Sequence, residues 1–361
     1  MYKILRNFLF LFDAELIHEF SVKFIKLFFN IPLTKTIIRR FFVVNHHSLE
    51  KKLFGLTFKN PVGLAAGFDK NADSYREFSN FGFGFIEIGT VTPLPQPGNP
   101  KKRIFRLVED KSIINRLGFN NKGLEVIAEN LKKRRDIIIG ANIGKNFFTE
   151  NVDAHDDYLK CLTDLNDYVD YFAVNISSPN TKGLRDFHDK KLLKPLLEKL
   201  VNKNNEMRNS KPLLLKISPD INSQKLDAII QLVLELKIDG VIATNTTVSR
   251  DGLESRHKEE TGGLSGMKLR DKSNLIISSL RKKLGADFPI IGVGGIMNAE
   301  DALEKIKCGA DLVQLYTGFI YEGPSLIKRI NNLLLDQELN KNYEKYSHIP
   351  YRIICIMQYT N

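Results

Sequence analysis

Pro289-Ile-Ile-Gly-Val-Gly-Gly-Ile296 decides the architecture: a short β-branched run stops at two glycines and passes into a polar, helix-compatible segment. Working outward from it, seven further apolar runs of the same kind recur, so that the eight cover 62–66, 85–89, 137–142, 171–176, 213–217, 240–244, 289–293 and 312–316. Helix-compatible segments lie between most of them, the pattern of parallel strands joined by crossover helices. Eight strand-helix units in about 280 residues predict an α/β fold of the (β/α)8 TIM-barrel type; an open doubly wound sheet normally shows fewer strands and a switch point.

The ends of these runs carry a second regularity. They read Ala-Ala-Gly-Phe-Asp-Lys70, Gly-Thr90, Asn142-Ile-Gly, Asn175-Ile-Ser-Ser178, Lys216-Ile-Ser, Thr244-Asn-Thr246, Gly294-Gly295 and Tyr316-Thr317. In a barrel all eight would converge on the C-terminal face, where this fold assembles its active sites. One polar strand end is explained by helix capping; eight together predict a pocket.

The remainder of the chain of 361 residues sets limits. A hydrophobic content of 43% fits a folded globular protein. The cysteines Cys161, Cys308 and Cys355 are widely spaced, with no metal-ligand or redox spacing, and read as packing residues of a reducing compartment. No metal site is expected. A net charge of +11, from 53 Lys and Arg against 42 Asp and Glu, favours an anionic partner such as a lipid surface or a phosphorylated cofactor. The basic residues form no nucleic-acid-reading motif, so no nucleic acid partner is expected. The apolar stretch from Phe8 to Phe12 is too short to span a bilayer, and no signal-peptide cleavage pattern follows it.

Residues 1–50 precede the first strand as a short N-terminal helical extension. Leu16, Phe20, Phe24 and Leu27, with Ile17 and Phe28 alongside, recur at helical spacing; Asp13 is the expected N-cap and Pro32 the stop. Seven Lys and Arg against three acidic residues up to Asn45 predict a basic amphipathic hairpin able to lie on an anionic bilayer. A helix pair packed on the barrel without lipid is the competing reading. The barrel is expected over 51–336, leaving a tail, 337–361, with an apolar stretch at 353–357 and no functional reading.

Three groups of residues carry chemistry. Glycines after strand seven, with Tyr316-Thr317-Gly318 after strand eight, let backbone amides approach an anion where barrels hold phosphate, which suits a mononucleotide. Asn175-Ile-Ser-Ser-Pro-Asn180-Thr181 offers amides and hydroxyls to a planar, neutral ring, and Asn115, Asn120 and Asn245-Thr246-Thr247 repeat that chemistry. Lys70 and Lys216, aimed at the barrel mouth, would hold a carboxylate or steady the negative charge of a reduced flavin.

These motifs resemble the dihydroorotate dehydrogenase family from Phe54 to about Leu334, and Leu11-Phe-Asp-Ala-Glu-Leu-Ile-His18 resembles its membrane-associated, quinone-linked class. The resemblance implies an oxidoreductase of pyrimidine (UMP) biosynthesis that oxidises dihydroorotate to orotate with FMN and a membrane quinone. It implies Ser178 as the base, where the soluble class has a cysteine on another loop. It implies Ala66, Gly67, Lys70, Thr90, Asn142, Asn175, Lys216, Thr244, Gly266, Gly295, Tyr316 and Thr317 around FMN. Substrate would meet Lys70, Asn115, Arg116, Leu117, Gly118, Phe119, Asn175, Asn180, Asn245 and Thr246, and His18 would lie near the quinone route. The sequence departs from the family at Thr317, where serine is commoner, but keeps the hydroxyl. A monomer in peripheral contact with the cytoplasmic face of a bacterial inner membrane is expected. Open alternatives are the soluble class reducing fumarate or NAD, opposed by Ser178; a tRNA-dihydrouridine synthase, lacking an RNA-binding domain; and a non-catalytic phosphoryl-ligand binder.

Overall fold

Eight parallel strands close into a barrel in the computed structural model, which describes residues 2–133 and 136–346. They are β1 (Val62–Leu64), β2 (Phe85–Val91), β3 (Ile138–Ile143), β4 (Tyr171–Asn175), β5 (Leu213–Ile217), β6 (Gly240–Ala243), β7 (Ile290–Val293) and β8 (Leu312–Leu315), each within a residue or two of its sequence run. Neighbours pair in chain order, and β8 returns to β1 through Val313 with Val62 and Leu315 with Leu64. Side chains alternate between the barrel interior and the helical shell. Phe85, Tyr171, Leu214 and Leu312 point inward; Ile86, Phe172, Leu215 and Val313 pack outward. The inward rings need space, and Gly63 and Gly140 provide it: a Cβ there would stand 2.3 Å from the Phe85 ring and 2.1 Å from the Tyr171 ring. A hairpin of Lys51–Leu53 with Leu56–Phe58 plugs the floor, Phe58 meeting Phe85 edge-on at 5.2 Å.

The extension is three helices, α1 (Tyr2–Leu9), α2 (Ala14–Phe29) and α3 (Thr34–Phe42). Asp13 caps α2 as expected, accepting from the amides of Glu15 and Leu16. The expected stripe faces outward: Leu16, Phe20, Phe24 and Leu27 are 61%, 58%, 56% and 67% exposed, while Val22, Ile25 and Phe29 pack on the barrel. No described helix is long and apolar enough to cross a membrane. No sequence pattern announces α1, whose anchors are distant: Tyr2 Oη donates to Ile320 O at 2.6 Å and Arg6 to Tyr321 O at 3.1 Å.

The crossovers contain α4 (Tyr75–Phe78), α5 (Leu124–Leu131), α6 (Ala154–Leu165), α7 (Lys190–Glu206), α8 (Ser223–Glu235), α9 (Arg270–Leu284) and α10 (Ala299–Lys307); α11 (Thr317–Glu322) and α12 (Ser325–Tyr346) follow β8. The tail boundary drawn at 337 falls inside α12; the stretch 353–357 and Cys355 lie outside the described residues. Cys161 and Cys308 are free thiols; burial holds that of Cys161 well above its ordinary pKa, consistent with packing. Over the barrel mouth, Ile104–Leu107, Ser112–Asn115 and Gly263–Gly266 form an antiparallel sheet that joins the loops after β2 and β6.

Candidate active site

The C-terminal strand ends surround a cavity with about 1030 Å³ of space free of protein atoms, its open mouth included. β1 and its loop contribute Ala66, Gly67 and Lys70; β2 gives Thr90; β4 and its loop give Asn175, Ser178 and Asn180; β5 gives Lys216. Thr244, Asn245 and Thr246 follow β6, Gly295 follows β7, and Tyr316 and Thr317 follow β8. The covering sheet and its continuation add Asn115, Leu117, Gly118, Phe119 and Gly266. Two expected residues lie off this wall. Asn142 is fully buried beneath it, and Arg116 turns outward to Glu260 at 2.7 Å, its guanidinium over the Phe105 ring. Sequence reasoning missed Ser265, Leu269 and Gln314; Gln314 was findable, because strand parity places it inward with Leu312.

Beneath the cavity lies a polar layer that the sequence also did not reveal. Glu87 on β2 is fully buried, and four groups from four other strands donate to it: Lys216 Nζ at 2.9 Å, Asn142 Nδ2 at 2.8 Å, Gln314 Nε2 at 2.7 Å and Tyr171 Oη at 3.4 Å. An ionised carboxylate only accepts, so it dictates the orientation of the amides around it. With Nδ2 committed downward, Asn142 presents Oδ1 to Thr90 Oγ1 at 2.6 Å and Asn175 Nδ2 at 2.9 Å. Asn175 Oδ1 then accepts from Ser177 N and Ser177 Oγ, both at 3.2 Å, and from Asn245 Nδ2 at 3.4 Å. The donor and acceptor pattern of the upper wall thus begins at one buried charge.

The donors and acceptors left over fit a phosphorylated planar cofactor. Thr244 Oγ1 and Gln314 Oε1 line the cavity, buried, without a hydrogen-bond partner. The Gly295 amide has no acceptor among the described residues. Gly295 has φ +80° and packs against the start of α9, where a Cβ would stand 2.3 Å from Arg270 Cα. Its backbone is therefore bare toward the cavity, as close approach of a phosphate requires.

Ser178 is buried on the loop after β4, its Oγ accepting from Asn180 N at 3.2 Å; the Asn180 side chain donates across to Asn115 O at 3.0 Å. Three residues on, Thr181 Oγ1 is buried and unpartnered. Arg185 bridges this loop to the next-but-one, donating to Ser177 O at 3.1 Å and Thr246 O at 2.9 Å, with Asp220 at 3.0 Å as its counter-ion.

The extension reaches the cavity through aromatic contacts. His18 on α2 meets Phe68 edge-on at 5.0 Å, and Phe68 meets the cavity residue Tyr316 at 5.4 Å. Burial, reinforced by the nearby Lys70 charge, pushes His18 down to about 4, so the imidazole is neutral at pH 7. Burial likewise lowers Lys70 to about 8, against the pull of Glu15. Glu15 itself is locked on Arg103, Oε1 to Nη2 at 2.7 Å and Oε2 to Nε at 3.0 Å, both side chains buried.

The family described as dihydroorotate dehydrogenase matches residues 48–337. A relative from Christiangramia forsetii, named dihydroorotate dehydrogenase (quinone), is 56% identical over 340 residues, covering 94% of this chain and all of its own. One of the same name from Idiomarina loihiensis is 47% identical over 335 residues, covering 91% and 99%. Among solved structures, the Eimeria tenella DHODH in complex with ferulenol superposes with a TM-score of 0.81 at 37% identity, covering 91% of this chain and 92% of that one. The ligand-free form from that organism gives 0.79 at 37% identity, covering 86% and 95%.

Proposed function

The chain belongs to the dihydroorotate dehydrogenase family, and from that premise we propose that it oxidises (S)-dihydroorotate to orotate with FMN and a membrane quinone, a step of pyrimidine (UMP) biosynthesis. One observation carries the reading: Ser178, Lys70 and the amides of Asn115, Asn175, Asn180 and Asn245 converge on a cavity that is also lined by Gly294 and Gly295, with the Gly295 amide left without an acceptor among the described residues.

FMN would be held by Ala66, Gly67, Lys70, Thr90, Asn175, Lys216, Thr244, Gly266, Gly295, Tyr316 and Thr317, with Asn142 acting from beneath. When bound, the flavin supplies the two-electron acceptor for the hydride that leaves C6 of the substrate. Ser178 Oγ takes the proton from C5, so the C5–C6 bond becomes double and orotate results. The Lys70 ammonium would meet the substrate carboxylate, and Leu117, Gly118, Phe119, Asn175, Asn180, Asn245 and Thr246 would surround the ring with Asn115. Arg116, turned to Glu260, would support that segment from behind. Serine is a weak base, and the unpartnered Thr181 hydroxyl is a group available to relay its proton through water.

Residues 1–50 would serve the acceptor half-reaction. The outward row of Leu16, Phe20, Phe24 and Leu27 would enter the cytoplasmic face of a bacterial inner membrane, the protein acting as a monomer. Quinone would then approach along α2, past His18 and Phe68, toward Tyr316. The test is anaerobic bleaching of the bound flavin by dihydroorotate, then reoxidation by a soluble quinone, fumarate or NAD in separate cuvettes. Bleaching reversed by quinone alone is expected. Reversal only by fumarate or NAD would refute the acceptor, and no bleaching would refute the activity.

A further inference from the structure

The charge in the barrel interior takes no part in the steps assigned to Ser178 and Lys70. Glu87 does not itself line the cavity, yet it is bonded to two residues that do, Lys216 and Gln314, and through Asn142 to two more, Thr90 and Asn175. A purely apolar filling would serve the barrel as well: the layer below is Phe85, Tyr171, Leu214 and Leu312, and a buried ion pair is commonly no more stabilising than apolar residues of equal volume. Stability alone is therefore a poor reason for a carboxylate here. What a carboxylate does that an isosteric amide cannot is accept from four donors at once and carry a charge.

We propose that Glu87 is a positioning residue of the redox reaction: as counter-ion of Lys216 and acceptor for the Asn142, Gln314 and Tyr171 donors, it sets how strongly the site prefers reduced over oxidised flavin. This rests on the flavin reading above. The Lys216 ammonium lies on the cavity wall and its partner carboxylate directly under it, so the field that reaches a bound flavin is that of the pair, weaker than that of a bare ammonium. Gln314 shows the orientation effect: its Nε2 is committed to Glu87, which leaves Oε1 bare on the wall as an acceptor. An amide at position 87 would bring one donor among four donors, and Gln314 would have to reverse, presenting a donor where the wall now presents an acceptor.

The experiment compares wild type, E87Q, K216M and the double variant, each purified with flavin. The dissociation constants of oxidised and reduced flavin and the midpoint potential are measured by dye equilibration. In E87Q the Lys216 ammonium, left with the anionic reduced flavin as its remaining counter-ion, should favour that form, raising the ratio of the oxidised to the reduced dissociation constant about tenfold, a rise of about 30 mV for a two-electron couple. In the K216M background the same substitution should move the potential by less than a third of that, because a buried carboxylate without a cation is neutralised by a proton. An unchanged or lowered potential in E87Q, or an equal rise in both backgrounds, overturns the proposal. Should E87Q alone fail to fold, K216M and the double variant still decide: equal potentials are expected, and a double variant about 30 mV higher overturns it. Wild-type protein that binds no flavin would instead refute the cofactor reading, an outcome distinct from all of these.

Discussion

Replacing Glu15 by alanine should uncouple the two half-reactions. The Glu15 carboxylate and the Arg103 guanidinium are both buried, bonded at 2.7 and 3.0 Å, and they join the first turn of α2 to the segment leading into the covering sheet. Breaking a buried pair by removing one partner costs about 3–5 kcal/mol. Arg103 keeps Pro97 O and Asn99 O, both at 2.7 Å, so the cost here should lie at the low end. About 3 kcal/mol corresponds to roughly a hundredfold more frequent undocking of α2. Hydrogen exchange of the α2 amides reads that opening directly. Anaerobic bleaching by dihydroorotate should persist, while reoxidation by quinone slows. Burial alone would raise the Glu15 carboxyl, but the hydrogen bond and charge of Arg103 outweigh it and hold the group below its ordinary value. A folded-state value below the unfolded one means that the pair contributes fully above the unfolded carboxylate range. Its contribution is lost as pH falls through the lowered value. Acidification should thus loosen α2 in wild type and change little in E15A. Unchanged exchange in E15A, or bleaching slowed as much as reoxidation, would refute the reasoning.

The other expectations concern the cavity. S178A should slow bleaching by about a hundredfold or more while retaining flavin, checked by stopped flow; a rate near wild type removes Ser178 as the base. G295A places a Cβ against Arg270 Cα at a backbone φ of +80°, a strain of about 1–3 kcal/mol, and the purified protein should show a reduced flavin-to-protein absorbance ratio. Orotate affinity should fall as pH rises past about 8, where Lys70 loses its proton, approaching about tenfold per pH unit. Titration calorimetry across that range tests it, and K70M should show a flat profile.

The barrel was legible because every inward and outward position of a parallel strand is buried, so that each strand is written as an uninterrupted apolar run ending in polar residues. β5 begins and ends where its run does, at Leu213 and Ile217. The cavity was legible for the same reason, since strand ends of this fold share one face. Glu87 was not, because a single acid in Phe-Ile-Glu-Ile-Gly looks like one polar position of an alternating strand, and its four partners come from positions 142, 171, 216 and 314. Arg116 was read with its neighbours as a contact segment, but side chains of the covering sheet also alternate, and this one faces Glu260. α1 escaped notice because its anchors are backbone carbonyls of Ile320 and Tyr321, which no sequence pattern advertises.

The covering sheet has a consequence for biosynthesis. Asn115 pairs with Gly263 across roughly 150 residues of chain, a separation that makes such contacts slow to form. β8 must still arrive to close the ring against β1 and deliver Tyr316 and Thr317. A ribosome-bound chain that has emerged only to α8 therefore owns Ser178, Asn175, Lys216 and two strands of the covering sheet, but neither its third strand, Gly263–Gly266, nor the glycine cradle. Cofactor capture belongs to the last act of synthesis, and a nascent chain stalled before β8 should remain colourless however much flavin surrounds it.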